Sequence, residues 1–151
     1  MKERTCVLIK PDGVCKRLIG EILRRIESEG FKIVALKMIR PEQEKIEEFY
    51  EPHKGKPFFS GLVKFMLTAP CVVMVVEGEN AVRRVRELIG DRVPAEATKG
   101  SIRGDFGSDG KRNVVHGSDS LDSARREISC FFSSKEIFFY GENDWLNSEP
   151  G

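Results

Sequence analysis

The longest uninterrupted apolar stretch of the chain runs from Cys71 to Val76, and it limits the possible folds more than any other feature. A bilayer-spanning helix needs about 20 such residues, so this run cannot be one. It is rich in β-branched valine, follows Pro70 and stops at Glu77-Gly78. A strand that is apolar at every position is covered on both faces, so the run reads as a central strand. The rest of the chain must supply the layers that cover it.

Thr5 to Lys10 is a second short apolar run, stopped by Pro11-Asp12-Gly13, and reads as a strand entering a turn. Leu18, Ile19, Ile22, Leu23 and Ile26 recur at helical spacing, and Gly30 suits the helix end. Phe31 to Ile39 is strand-like. Pro41 suits the first turn of a helix carrying Ile46, Phe49 and Tyr50, and a loop from Pro52 to Pro57 follows. Phe58, Phe59, Leu62, Val63, Phe65 and Met66 predict a further helix, stopped before Pro70. Ala81, Val82, Val85, Leu88 and Ile89 predict another, ending at Gly90.

The pattern then fails. Asp91 to about Lys111 holds four glycines and many charges without a sustained period, as functional loops do. Asn113 to His116 is a short strand. Asp119 or Ser120 can cap a helix bearing Leu121, Ala124, Ile128 and Phe131. With the inserted helices set aside, the order is βαββαβ. That is an α+β sandwich of the ferredoxin-like kind, with an antiparallel sheet, helices on one face and added helices. The expected organisation is one domain over residues 1–151, with an irregular tail from about 133.

Lys plus Arg is 25 and Asp plus Glu is 24, so whole-chain charge gives no nucleic-acid signal. Cys6, Cys15, Cys71 and Cys130 lack CxxC spacing and read as reduced thiols of a cytoplasmic protein. Cys6 and Cys71 lie in apolar runs and are expected to be buried. With two histidines and no paired cysteines, no zinc site is expected. The N-terminus lacks the apolar core of a signal peptide.

The most informative stretch is Asn113-Val114-Val115-His116-Gly117-Ser118-Asp119-Ser120. A histidine stands at a strand end, beside a glycine that leaves room for a substrate and a helix start that favours anions. Lys10 ends the first strand, Arg86 lies before the long loop, and Arg103 lies within it. If they converge with Asn113 on His116, they form a phosphate clamp. Spacing alone does not bring them together, and Arg83 and Arg84 compete with Arg86.

These segments together resemble the nucleoside diphosphate kinases. The matching residues are Lys10-Pro11-Asp12-Gly13, Tyr50 with His53-Lys54 and Pro57-Phe58-Phe59, Ser101-Ile102-Arg103-Gly104-Asp105-Phe106, and Asn113 to Ser120. The resemblance runs from about Thr5 to Phe132. It implies a ping-pong reaction in which a nucleoside triphosphate phosphorylates a histidine and a nucleoside diphosphate takes the phosphate away. His116 matches the phosphorylated residue, Glu127 the carboxylate that fixes its tautomer, and Ser118 a supporting hydroxyl. Lys10, Tyr50, Arg103 and Asn113 match groups around the transferred phosphate and the ribose, and Arg86 matches a residue on the outer phosphates. Phe58 matches the base platform, with Leu62 beside it. The resemblance also implies Mg2+ delivered with the nucleotide, no protein metal site, no membrane or nucleic-acid requirement, and a homo-oligomer, a hexamer more than a tetramer.

Two positions depart from the family pattern. Gly-x-Thr-x-Pro is replaced by Gly90-Asp91-Arg92-Val93-Pro94, and the proline before Gly100 is replaced by Lys99. Arg92 counts among the nucleotide-binding candidates, but two orientations are open: inward as a further cation, or outward to Asp91 or Glu96. Two other functions share some features. RNA-recognition domains have the βαββαβ order but need exposed aromatics on central strands, which Thr5 to Lys10 and Asn113 to His116 lack. Histidine phosphatases usually place arginine before the nucleophile, where this chain has Val115.

Overall fold

The computed structural model describes residues 1–150. Four strands form one sheet: β1 (Lys2–Ile9), β2 (Lys32–Ile39), β3 (Cys71–Glu79) and β4 (Val115–Gly117). Their order is β2-β3-β1-β4, and every neighbouring pair is antiparallel. This is the expected ferredoxin-like sheet. β1 and β3 occupy the centre, and the apolar run from Cys71 is buried along its length.

The helices are α1 (Pro11–Cys15), α2 (Ile19–Ser28), α3 (Gln43–Phe49), α4 (Phe59–Met66), α5 (Ala81–Ile89), α6 (Ile102–Phe106) and α7 (Leu121–Phe131). Alternation along β1 divides the core. Val7 and Ile9 pack with Ile22 and Ile26 of α2 and Val85 and Ile89 of α5. Cys6 and Leu8 face the other way, into Phe49, Met66 and Phe131 of α3, α4 and α7. Helices on one face therefore describes α2 and α5, with Ile102 of α6 packed among them. α3, α4 and α7 close the second face, as a strand without polar alternation requires.

Local chemistry accounts for several boundaries. Ser120 caps α7, its hydroxyl accepting the Ser123 amide at 3.0 Å. Gly90 ends α5 at φ +94, where a side chain would also strike Ser101. Other expectations are corrected. Pro11-Asp12-Gly13 opens a one-turn helix, because proline suits the first helical position. Pro41 precedes the α3 cap residue Glu42 and so is not in the first turn. The segment from Asp91 is not one loop, for it holds a 3₁₀ turn at Pro94–Glu96 and α6 capped by Ser101. β4 begins only at Val115, because Val114 has φ +64 and cannot join a ladder.

Beyond α7 the chain is mostly irregular, with 3₁₀ turns at Ser134–Glu136 and Asp144–Asn147. It returns to the edge strand, where the Phe138 amide donates to the Val34 carbonyl at 2.8 Å. The four cysteines are free, and Cys6 and Cys71 are buried as expected. No helix among the described residues is long and apolar enough to cross a membrane.

Candidate active site

β4 pairs with β1 so that His116 opposes Leu8. This register sets the imidazole at the end of the sheet, with the Phe49 ring edge-on at 4.9 Å. His116 Nε2 lies 2.8 Å from Glu127 Oε1. The Ser118 hydroxyl donates to the same oxygen at 2.7 Å and accepts the Cys6 amide at 3.2 Å. Glu127 is buried on α7, so its charge is held by these donors. An imidazole that donates its Nε2–H hydrogen bond to a carboxylate keeps its lone pair on Nδ1.

His116 lines a cleft of about 650 Å³ that also contains Lys10, Tyr50, Phe58, Leu62, Arg86, Arg92, Arg103, Asn113 and Glu127. Every candidate except Ser118 thus lines one cavity, and Ser118 lies directly behind Glu127. Backbone carbonyls beside the histidine fix two of the arginines. Arg86 donates to Gly117 at 3.0 Å, and Arg103 donates to Val115 at 2.8 Å. Lys10 Nζ donates to Asn113 Oδ1 at 2.8 Å, and Asn113 Nδ2 donates to the Arg92 carbonyl at 2.8 Å.

The cations are held together at a cost. Burial and the nearby Arg103 bring Lys10 from its ordinary 10.5 down to about 7. Burial and Arg86 bring Arg103 down to about 10. The Tyr50 hydroxyl and Arg103 Nε are buried without a hydrogen-bond partner among the described residues. Burial also raises the Tyr50 phenol, which therefore stays a neutral donor. Such a cavity suits an anion that neutralises the cations and takes up the free donors.

At the mouth, Phe58 is 52% exposed and meets His53 at a tilt, ring centroids 5.4 Å apart. Leu62 follows one turn later on α4. Arg92 reaches the Gly110 carbonyl at 3.4 Å and makes no ion pair with Asp91 or Glu96 among the described residues. It lines the rim of the cleft and also borders the neighbouring depression that contains Asp91 and Glu96. Lys99 is exposed on the loop before α6.

Sequence reasoning missed Phe49, His53, Lys111, Asp119 and Arg126 as lining residues. Arg126 directly precedes Glu127 in the sequence, but no periodicity marks it as facing the site. It donates to the carbonyls of Glu48 and Phe49 at 3.0 and 3.1 Å. Phe49 reads as ordinary helix core and gives no separate signal.

A carboxylate-backed imidazole facing fixed cations and free donors is equipment for moving phosphoryl groups, which puts the chain among the phosphotransferases. The family model described as nucleoside diphosphate kinase matches residues 3–137. The chain belongs to the nucleoside diphosphate kinase family and transfers phosphate between nucleotides. It is 53% identical to the nucleoside diphosphate kinase of Archaeoglobus fulgidus, over 97% of this chain and 99% of that one. It is 54% identical to that of Methanocaldococcus jannaschii, over 91% and 99%. A crystal form of the Aquifex aeolicus enzyme superposes with a TM-score of 0.90 at 48% identity, covering 91% of this chain and all of that one. The Halobacterium salinarum enzyme, solved in complex with CDP, superposes at 0.91 with 42% identity, covering 99% of this chain and 100% of that one. The RNA-binding alternative is not favoured, and helices cover both faces of the sheet that such a module would leave open.

Proposed function

We propose that the transfer is ping-pong and runs through a phosphohistidine at His116 Nδ1. The observation that carries this reading is the 2.8 Å contact between His116 Nε2 and Glu127, which leaves Nδ1 as the free nucleophile. The Nδ1 lone pair bonds to the terminal phosphorus of the triphosphate as the bond to the bridging oxygen breaks. The electron pair leaves with the nucleoside diphosphate. The Nε2 proton remains on the ring, and Glu127 offsets the positive charge that develops there. A terminal oxygen of a second nucleoside diphosphate then attacks the same phosphorus, and the N–P electron pair returns to Nδ1.

In this reading Arg86, Arg103 and Lys10 neutralise the phosphates, while Asn113 and Tyr50 donate hydrogen bonds to phosphate or ribose. Arg92 adds a further cation from the rim. The base stacks on Phe58 against Leu62, and stacking accepts every base because each has a π-face. Mg2+ enters as part of the nucleotide substrate, held by phosphate oxygens and water. The cleft wall supports this, since it is cationic apart from Asp119 and Glu127. The site draws on residues from Lys10 to Glu127, which supports a single domain as the working unit.

Leu36 and Met38 are half exposed on the edge strand β2, and the tail that meets this strand at Val34 exposes Phe138 and Phe139. This apolar edge supports a homo-oligomer, with a hexamer as the expected form. Four free cysteines support a reducing, cytoplasmic location. The test of the reaction is a chase. Enzyme labelled from γ-labelled ATP is freed of nucleotide and mixed with CDP. Label appearing in CTP supports the reading, and label appearing only as inorganic phosphate refutes it.

A further inference from the structure

Val114, between Asn113 and His116, adopts a backbone conformation that its side chain disfavours. Its φ is +64, and the Val115 amide donates to the Asn113 carbonyl at 2.8 Å across it. A hydrogen bond between residues two apart, closed over a positive φ, is the strained form of the three-residue turn. For a β-branched residue that conformation is an outlier and persists only where its surroundings impose it.

The surroundings are the segment Lys10 to Gly13. The Lys10 amide donates to the Val114 carbonyl at 2.8 Å. Asp12 Oδ2 accepts the Val114 amide at 3.1 Å. A Cβ on Gly13 would lie 2.8 Å from the Val114 carbonyl oxygen, so only glycine lets the two backbones meet this closely. Both polar groups of the strained peptide unit are thus held by one short helix entry. The turn in its grip sets two functional groups at once: Asn113 before it, bound to Lys10 Nζ, and His116 two residues after it.

We propose that Asp12 is a positioning residue of the transfer, whose bond to the Val114 amide holds the strained turn and with it the spacing between Asn113 and His116. Asp12 does not line the cleft; its bond reaches Val114, while its charge separately favours the protonated form of Lys10. The inference rests on His116 being the phosphorylated residue. Without the bond, the turn relaxes toward ordinary backbone, and the nucleotide held by Lys10 and Asn113 no longer meets Nδ1 in line.

Three variants separate the bond from the charge. Asp12→Asn keeps an oxygen in place to accept the amide and removes the charge. Asp12→Glu keeps the charge and displaces the oxygen by one methylene. Asp12→Ala removes both. Single-turnover phosphorylation and equilibrium ATP binding are measured on each, well below its Tm. We expect Asp12→Asn to stay within about threefold of the parent phosphorylation rate. Asp12→Glu and Asp12→Ala should fall ~10–100-fold, the scale of a misplacement near 1 Å, with ATP affinity nearly unchanged. If Asp12→Ala does not fold, the Asn and Glu pair decides the matter alone. The proposal is overturned if Asn is as slow as Glu, if all folded variants match the parent, or if the loss lies wholly in ATP affinity. A phosphoenzyme that persists in His116→Ala would refute the underlying reading instead, so the two failures are distinguishable.

Discussion

Oε1 of Glu127 accepts two donors at once, His116 Nε2 at 2.8 Å and the Ser118 hydroxyl at 2.7 Å. The shared oxygen ties the imidazole to a network anchored on the Cys6 amide of the central strand. Removing the carboxylate frees the ring to rotate and to change tautomer. Ser118 can turn to the Cys6 carbonyl, 3.4 Å away, so the fold survives. Glu127→Ala should slow single-turnover phosphorylation by ~10–10³-fold, about 1.4–4 kcal/mol of barrier. An unchanged rate in folded protein would mean that the contact does not orient the nucleophile.

Lys10 makes nucleotide binding depend on pH. With burial and Arg103 holding its pKa near 7, it is largely neutral above that value. A bound polyphosphate favours the charged form, so binding draws a proton from solvent. Calorimetry at about pH 8 in buffers of different ionisation enthalpy should show uptake, and affinity should fall as pH rises through this range. Lys10→Arg stays charged throughout and should show no such uptake. The stability sign follows the same linkage. Between about 7 and 10.5 the unfolded chain holds this proton and the folded chain does not. The contribution of Lys10 to unfolding free energy therefore rises with pH across that window. Equal proton uptake in the parent and Lys10→Arg would contradict the account.

Phe58 projects from the mouth of the cleft with about half its surface free. As a platform for any base, its loss should weaken ATP, GTP and CTP alike, by roughly 1–3 kcal/mol for Phe58→Ala. Loss confined to one nucleotide would point to a hydrogen-bonding pocket elsewhere.

Arg92 stands where the family usually has threonine, and its guanidinium donates to the Gly110 carbonyl. A solvent-exposed cation on the rim strengthens binding most when salt is low. Arg92→Thr should therefore lose kcat/KM by about tenfold at low ionic strength, the scale of one charge-assisted hydrogen bond. The loss should shrink as salt rises. Identical salt curves for the two proteins would remove Arg92 from the binding machinery.

The sheet was legible because its central strands are continuous apolar runs and its two main helices keep a 3.6 period. The cleft was legible only through the resemblance. Lys10, Arg86, Arg103 and Asn113 come from four separate segments, and nothing in their spacing shows that they meet. The Val114 turn was hidden for a different reason. Valine favours strands, so Asn113 to His116 reads as extended. The bond that reverses Val114 comes from Asp12, about 100 residues away in sequence. Arg92 could not be oriented from sequence because Asp91 and Val93 supply no period.

The central claim is a covalent one, and mass spectrometry after brief exposure to ATP and magnesium tests it most directly. The account predicts one acid-labile phosphate on the parent protein and on His53→Ala, discharged by added nucleoside diphosphate, and none on His116→Ala. A phosphoenzyme formed by folded His116→Ala would contradict it.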